Sequence, residues 1–188
     1  MADRDARYQL AGIVEVDDTY FGGPKSGGKR GRGTEKTHVI VAVSLSDTGK
    51  PEYTKMAVSD DLTSKSLVIF AEKNITEGST ISSDAYRSYL KAFSEGTYMH
   101  EPQKFDAKGD TDHLRWLHTV VSNAKAFILG TYHGLGATHF QAYLDEFCFR
   151  MNRRFFASQL FDRLLCACSS TSTVTYKNLV GIGNLETS

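Results

Sequence analysis

The sequence predicts one layered α/β domain built on a mixed five-stranded sheet. Three observations lead there. Strand-like and helix-like stretches alternate in the order strand, strand, strand, helix, strand, helix, followed by further helices, a mixture that implies helices layered on a mixed sheet. The 188 residues suit one domain of ordinary size. One early run, His38 to Leu45, is almost continuously apolar, as suits a strand buried on both faces.

Taken in order, Ala11 to Tyr20 is the first strand, rich in β-branched residues. Gly22 to Gly33 holds no regular structure, because closely spaced glycines favour loop conformations. After the buried strand, Asp47-Thr48-Gly49-Lys50 is a turn and Tyr53 to Val58 its hairpin partner. Thr63 caps a helix carrying Leu67, Val68 and Phe70, and Gly78 separates that helix from a strand ending at Asp84. Ala85 to Phe93 is a short helix, and Tyr98 to His100 a short edge strand before polar, irregular sequence to Asp112. Leu117, Val120, Val121, Ala124, Phe127 and Ile128 recur at helical spacing, with Gly130 as the stop. Thr138 to Phe156 and Ser158 to Cys168 are two further helices. The domain organisation expected is an extension over 1–10, a domain over 11–168 and a serine- and threonine-rich tail over 169–188.

Composition excludes several classes. Lys+Arg and Asp+Glu both number 22, so any nucleic-acid surface must come from distribution rather than net charge. Cys148, Cys166 and Cys168 form no paired CxxC pattern, so no structural zinc is expected, and their odd number suits reduced thiols in the cytoplasm. Met1 to Leu10 is polar, unlike a secretory signal, and no apolar run reaches membrane-spanning length.

Asp17 and Asp84 each end a strand-like run. Two carboxylates on neighbouring strand ends suit Mg²⁺, which prefers hard oxygen ligands and substrate phosphates. Two such ions can clamp the attacking and leaving oxygens of a phosphoryl displacement. Asp also follows strands simply as a turn or cap residue, so the pair alone leaves both readings open.

The neighbours of these aspartates carry a resemblance. Val14-Glu15-Val16-Asp17-Asp18-Thr19-Tyr20-Phe21-Gly22-Gly23, followed by a basic glycine-rich loop, is similar to the opening of the ISXO2-like (IS1595-type) transposase catalytic domain. Ser83-Asp84-Ala85-Tyr86-Arg87-Ser88-Tyr89, His118-Thr119-Val120-Val121-Ser122-Asn123-Ala124-Lys125 and Gly130-Thr131-Tyr132-His133-Gly134 follow in the family's order. So does Tyr143-Leu144-Asp145-Glu146-Phe147-Cys148-Phe149-Arg150-Met151-Asn152-Arg153-Arg154. The resemblance implies an RNase H-like fold, with Asp17 on the central strand, Asp84 on the adjacent fourth strand and a third polar residue from a later helix. It implies an insertion-sequence transposase of the DDE type, which cleaves DNA and transfers strands with two Mg²⁺ or Mn²⁺ ions.

Where DDE enzymes usually place Glu, the resemblance leaves Asn123, with Lys125 as a phosphate contact. Residues two apart on a helix do not share a face, whereas His118, Ser122 and Lys125 do, so His118 is the alternative third ligand. Asp18, beside Asp17 on the strand, faces the other way. Lys25, Lys29, Arg30, Arg32 and Lys36 are the expected DNA-backbone contacts. Arg153 and Arg154 either join them or brace the helices, and His133 is a possible site-side residue. The expected partners are transposon-end and target DNA and, on DNA, at least a second copy of the chain, in the cytoplasm at the nucleoid. The zinc-ribbon module usual before such domains is not seen ahead of the first strand. A nuclease or resolvase of the same fold, or a truncated remnant that only binds DNA, are therefore the competing expectations.

Overall fold

β-Branched residues dominate the segments Ile13–Phe21 (β1) and Thr37–Leu45 (β2), which with Pro51–Val58 (β3) form an antiparallel meander in a computed structural model. The model describes residues 5–22, 36–104, 113–132, 139–170, 173 and 175. The turn between β2 and β3 closes as its sequence demands, with Gly49 at φ +70° donating to the Ser46 carbonyl at 2.8 Å. Thr63 caps the helix Ser64–Asn74 (α1), its hydroxyl accepting from Ser66 N at 3.3 Å. This helix carries the chain back so that Thr80–Asp84 (β4) lies parallel to β1. After the short helix Arg87–Ala92 (α2), Met99–Gln103 (β5) adds in parallel beside β4. The sheet order is β3-β2-β1-β4-β5, three antiparallel strands continued by two parallel ones, a mixed five-stranded sheet flanked by helices.

β5 is longer than the polar sequence Met99-His100-Glu101-Pro102-Gln103 advertised. An exposed edge strand needs no apolar alternation, and a proline is tolerated there. The last helices are Arg115–Thr131 (α3), Phe140–Met151 (α4) and Leu160–Ser169 (α5). The helix expected to run from Thr138 to Phe156 therefore stops at Met151, and a 3₁₀ segment, Arg154–Gln159, follows. Its stop has a tertiary cause. The Asn152 amide docks on the edge strand, accepting from Thr54 N at 2.7 Å and donating to Thr54 O at 2.9 Å. One helix length earlier, Gln141 accepts from Val58 N and donates to Met56 O. Two side-chain amides thus cover part of the open edge of β3, a surface that otherwise invites pairing with another chain.

The sheet separates two cores. On one face Val39, Val41, Val43 and Phe21 meet Leu117, Val121 and Ala124 of α3 and Leu144 and Phe147 of α4. On the other, Val14, Val16, Ile40, Ala42 and Ile81 meet Leu67 and Phe70 of α1 and Tyr89 of α2. β2 feeds both faces, as its almost continuous apolar run predicted. Each large side chain fully buried here contributes about 1.5–3 kcal/mol. The boundary expected at residue 11 lies earlier in the structure. Leu10 is buried and bridges to Ile75, and Asp5 is bound by Arg153 at 2.8 Å. No described helix is long and apolar enough to cross a membrane.

Candidate active site

Strand alternation divides β1 into two sets. Val14, Val16 and Asp18 face α1 and α2, while Glu15, Asp17, Thr19 and Phe21 face α3. β4 runs parallel with β1 and pairs Val16 with Ser83, so the next row along places Asp17 beside Asp84. Ile81 belongs to the α1–α2 core, so Asp84, three residues on, faces α3 together with Asp17. The two carboxylates therefore share one face of two neighbouring strands. Asp84 also accepts from Tyr86 N at 3.1 Å, the turn contact that starts α2.

α3 lies along this polar side of β1. At its start, the Glu15 carboxylate accepts from Leu117 N at 2.6 Å. One residue later, His118 Nε2 stands 3.8 Å from Asp17 Oδ2, with its side chain 57% exposed. Two turns further on, Lys125 donates to Thr19 Oγ1 at 2.8 Å. Burial pulls the Lys125 pKa below the ordinary lysine value, and the positive charge of Lys36 pulls it further. Burial pushes the Glu15 carboxyl up, opposed by the backbone N–H groups of Leu117 and Trp116.

Helix α3 begins at Arg115, so Asn123 lies mid-helix and exposed. Five residues beyond His118, it stands about 140° round the helix from it. His118 and Lys125, seven residues apart, fall on one side of α3. Arg153 and Arg154 are turned to structural work. Arg153 binds Asp5 and the Phe149 carbonyl, and Arg154 donates to the carbonyls of Pro51, Glu52 and Met151. Guanidinium groups spent on their own backbone are poorly placed to neutralise phosphate. Lys36 is the described member of the expected basic loop; Lys25, Lys29, Arg30, Arg32 and His133 lie outside the described residues.

Glu15 and Thr19 were missed as contributors. Both read as ordinary strand residues, although their period-2 spacing around Asp17 was a usable signal. Asp18, by contrast, is bound on the far face by His38 Nε2 at 2.8 Å, with Tyr89 Oη at 3.5 Å and Tyr20 stacked on the His38 ring.

Two carboxylates are the donor type that Mg²⁺ and Mn²⁺ take, and an imidazole beside them is a further donor. Among the described residues no group of three or more His, Cys, Asp and Glu side chains is placed to hold a metal ion.

The family model described as the ISXO2-like transposase domain matches residues 9–152. The chain belongs to this family. The match begins just before β1 and ends at Asn152, so it takes in both aspartates, α3 and the amide-sealed edge of β3. Among curated proteins none matches the sequence. Among solved structures, the catalytic core domain of BIV integrase is similar with a TM-score of 0.48 and 12% identity, over 76% of this chain and 84% of that one. A chain from the simian T-cell lymphotropic virus intasome in complex with the PP2A regulatory subunit B56 gamma is also similar. Its TM-score is 0.48 at 10% identity, over 94% of this chain and 55% of that one.

Proposed function

We propose that this transposase domain cuts DNA and joins the cut ends to a target, using divalent ions held by Asp17, Asp84 and His118. The observation that carries the reading is a strand pairing together with one helix contact. Two aspartates share a face of neighbouring parallel strands, and α3 brings His118 to within 3.8 Å of one of them. When bound, two such ions activate an attacking hydroxyl and stabilise the leaving 3′-oxygen.

The remaining work belongs to the chain's own residues. Asp17 and Asp84 supply anionic oxygens from rigid strand ends, which fixes where charge is neutralised. Little covalent help is needed, because phosphoryl transfer is governed mainly by positioning and electrostatics. Lys125 is a partly buried cation held by a neutral hydroxyl, so it offers its charge to a DNA phosphate at the edge of the site. Lys36 adds a second positive charge acting on Lys125, and Lys25, Lys29, Arg30 and Arg32 are further candidate contacts by their charge, which would make binding salt-dependent. Joining two ends implies at least two copies of the chain on DNA, at the bacterial-type nucleoid in the cytoplasm.

The test uses pre-cut transposon-end DNA, a target plasmid and Mn²⁺ or Mg²⁺. Wild type is expected to give joined products, lost in Asp17→Asn, Asp84→Asn and His118→Ala and kept in Asn123→Ala. Cleavage with no joining in any metal would assign the site to a nuclease. DNA binding indifferent to metal, with no product of either kind, would overturn the enzymatic reading.

A further inference from the structure

Glu15 is a buried acid with a task that its strand does not explain. Only 6% exposed, it occupies a position on β1 where an apolar residue would pack against α3. Its partner is the first turn of that helix, through Leu117 N at 2.6 Å. The helix has no cap of its own. Leu114 precedes it with φ +52°, gives no side-chain hydrogen bond, and no acidic residue lies in the first turn. Unbonded N–H groups at a helix start need an acceptor, and a carboxylate suits the positive end of the helix. Glu15 supplies that acceptor from the sheet.

The consequence falls on the next residue. Glu15 and Asp17 lie on the same face of β1, two residues apart, while Leu117 and His118 are consecutive on α3. Fixing Leu117 over Glu15 therefore fixes how far along β1 His118 reaches. We propose that Glu15 is the positioning residue for His118, a cap lent by the sheet that sets the register of α3 against Asp17. This rests on the reading of His118 as the third ligand, but the register itself can be observed without metal or DNA.

Two measurements test it on the whole chain. In the metal-free protein, NMR follows the Leu117 amide and the His118 ring in wild type, Glu15→Gln and Glu15→Ala. Glu15→Gln keeps an oxygen acceptor of the same length, so both signals are expected near their wild-type positions. Glu15→Ala is expected to move both while the Asp18–His38 signals stay in place. His118 ring signals unmoved by Glu15→Ala would overturn the proposal. Should Glu15→Ala not fold, Glu15→Asp, which retracts the carboxylate by one methylene, takes its place with the same expectation.

In the second measurement Mn²⁺ is titrated into the same variants, His118→Ala and the double variant. Losing a residue that orients a ligand weakens metal binding about 10- to 100-fold. Glu15→Ala is expected to show that loss, Glu15→Gln to recover most of it, and the Glu15→Ala/His118→Ala pair to bind no worse than His118→Ala alone. Multiplying losses in the double variant would mean that Glu15 acts through something other than His118, and the proposal fails. Unchanged Mn²⁺ affinity in His118→Ala would remove His118 as a ligand while leaving the NMR result to judge the register.

Discussion

Asp17 and Asp18 are neighbours in sequence and opposites in structure. Asp18 faces α1 and α2, where His38 binds it at 2.8 Å and its side chain is 7% exposed. Asp17 faces α3, is 20% exposed, and meets His118 at 3.8 Å, beyond hydrogen-bond reach. The same side chain on the same strand is bound to His38 on one face and set beside the exposed ring of His118 on the other. The lesson is that strand alternation, more than residue type, decides which helices a carboxylate faces. A charge already matched by its own protein has little left to offer a ligand, and breaking that match costs stability.

Substitutions at the two aspartates separate these roles, and the largest effect belongs to Asp17. Asp17→Asn is expected to lower strand joining about 10²- to 10³-fold, the scale of losing one preorganised electrostatic group. Its metal-free melting temperature should hold or rise, because one of two crowded like charges is gone. A large fall in melting temperature would recast Asp17 as structural. Next in size is Asn152→Ala, on the α3–α4 side but at the far edge of the sheet. It leaves the buried N–H and C=O of Thr54 unmatched and is expected to cost about 2–6 kcal/mol in urea unfolding, taking two unsatisfied polar groups at roughly 1–3 kcal/mol each. A folded Asn152→Ala protein should join DNA normally.

Asp18→Asn comes third. Weakening a buried, charge-assisted bond to His38 is expected to cost about 1–3 kcal/mol of stability while activity per folded molecule stays at the wild-type level. Loss of activity without loss of stability would place Asp18 in the site and erase the contrast. The smallest effect is a pH dependence on the closed face. Burial against Phe93 holds the His100 pKa below its ordinary 6.5, with Ser83 Oγ 2.8 Å from its ring. Below pH 6.5 the unfolded chain takes up this proton more readily than the folded one, so the contribution of His100 is complete above 6.5 and is lost as pH falls through the folded pKa. Unfolding curves between pH 7.5 and 5 should show that slope, and His100→Gln should flatten it.

Much of this architecture was legible in the residues. The apolar run of β2, the capped start of α1 at Thr63 and the strand ending at Asp84 follow from local pattern, and local pattern is what these elements obey. The site was half legible. Asp17 and Asp84 sit where strand ends and alternation place them. Helical spacing reads from Leu114 onward, and α3 begins at Arg115; the cap that Glu15 lends it from another element is what no local pattern encodes. The stop of α4 was hidden for the same reason, since the Asn152 amide answers to Thr54 on β3. Arg153 and Arg154 resembled DNA contacts until Asp5 and the carbonyls of Pro51 and Glu52 claimed them. In each case the missing information was a tertiary hydrogen bond, which no local pattern encodes.

The most direct test of the contrast is Mn²⁺ affinity, measured calorimetrically on folded, DNA-free protein. Asp17→Asn, Asp84→Asn and His118→Ala should each weaken binding about tenfold or more, as loss of a ligand or of its support does, while Asp18→Asn and Asn123→Ala stay within about threefold of wild type. Equal affinity in Asp17→Asn and Asp18→Asn, or a loss confined to Asn123→Ala, would contradict the assignment of the site to the α3 face of β1.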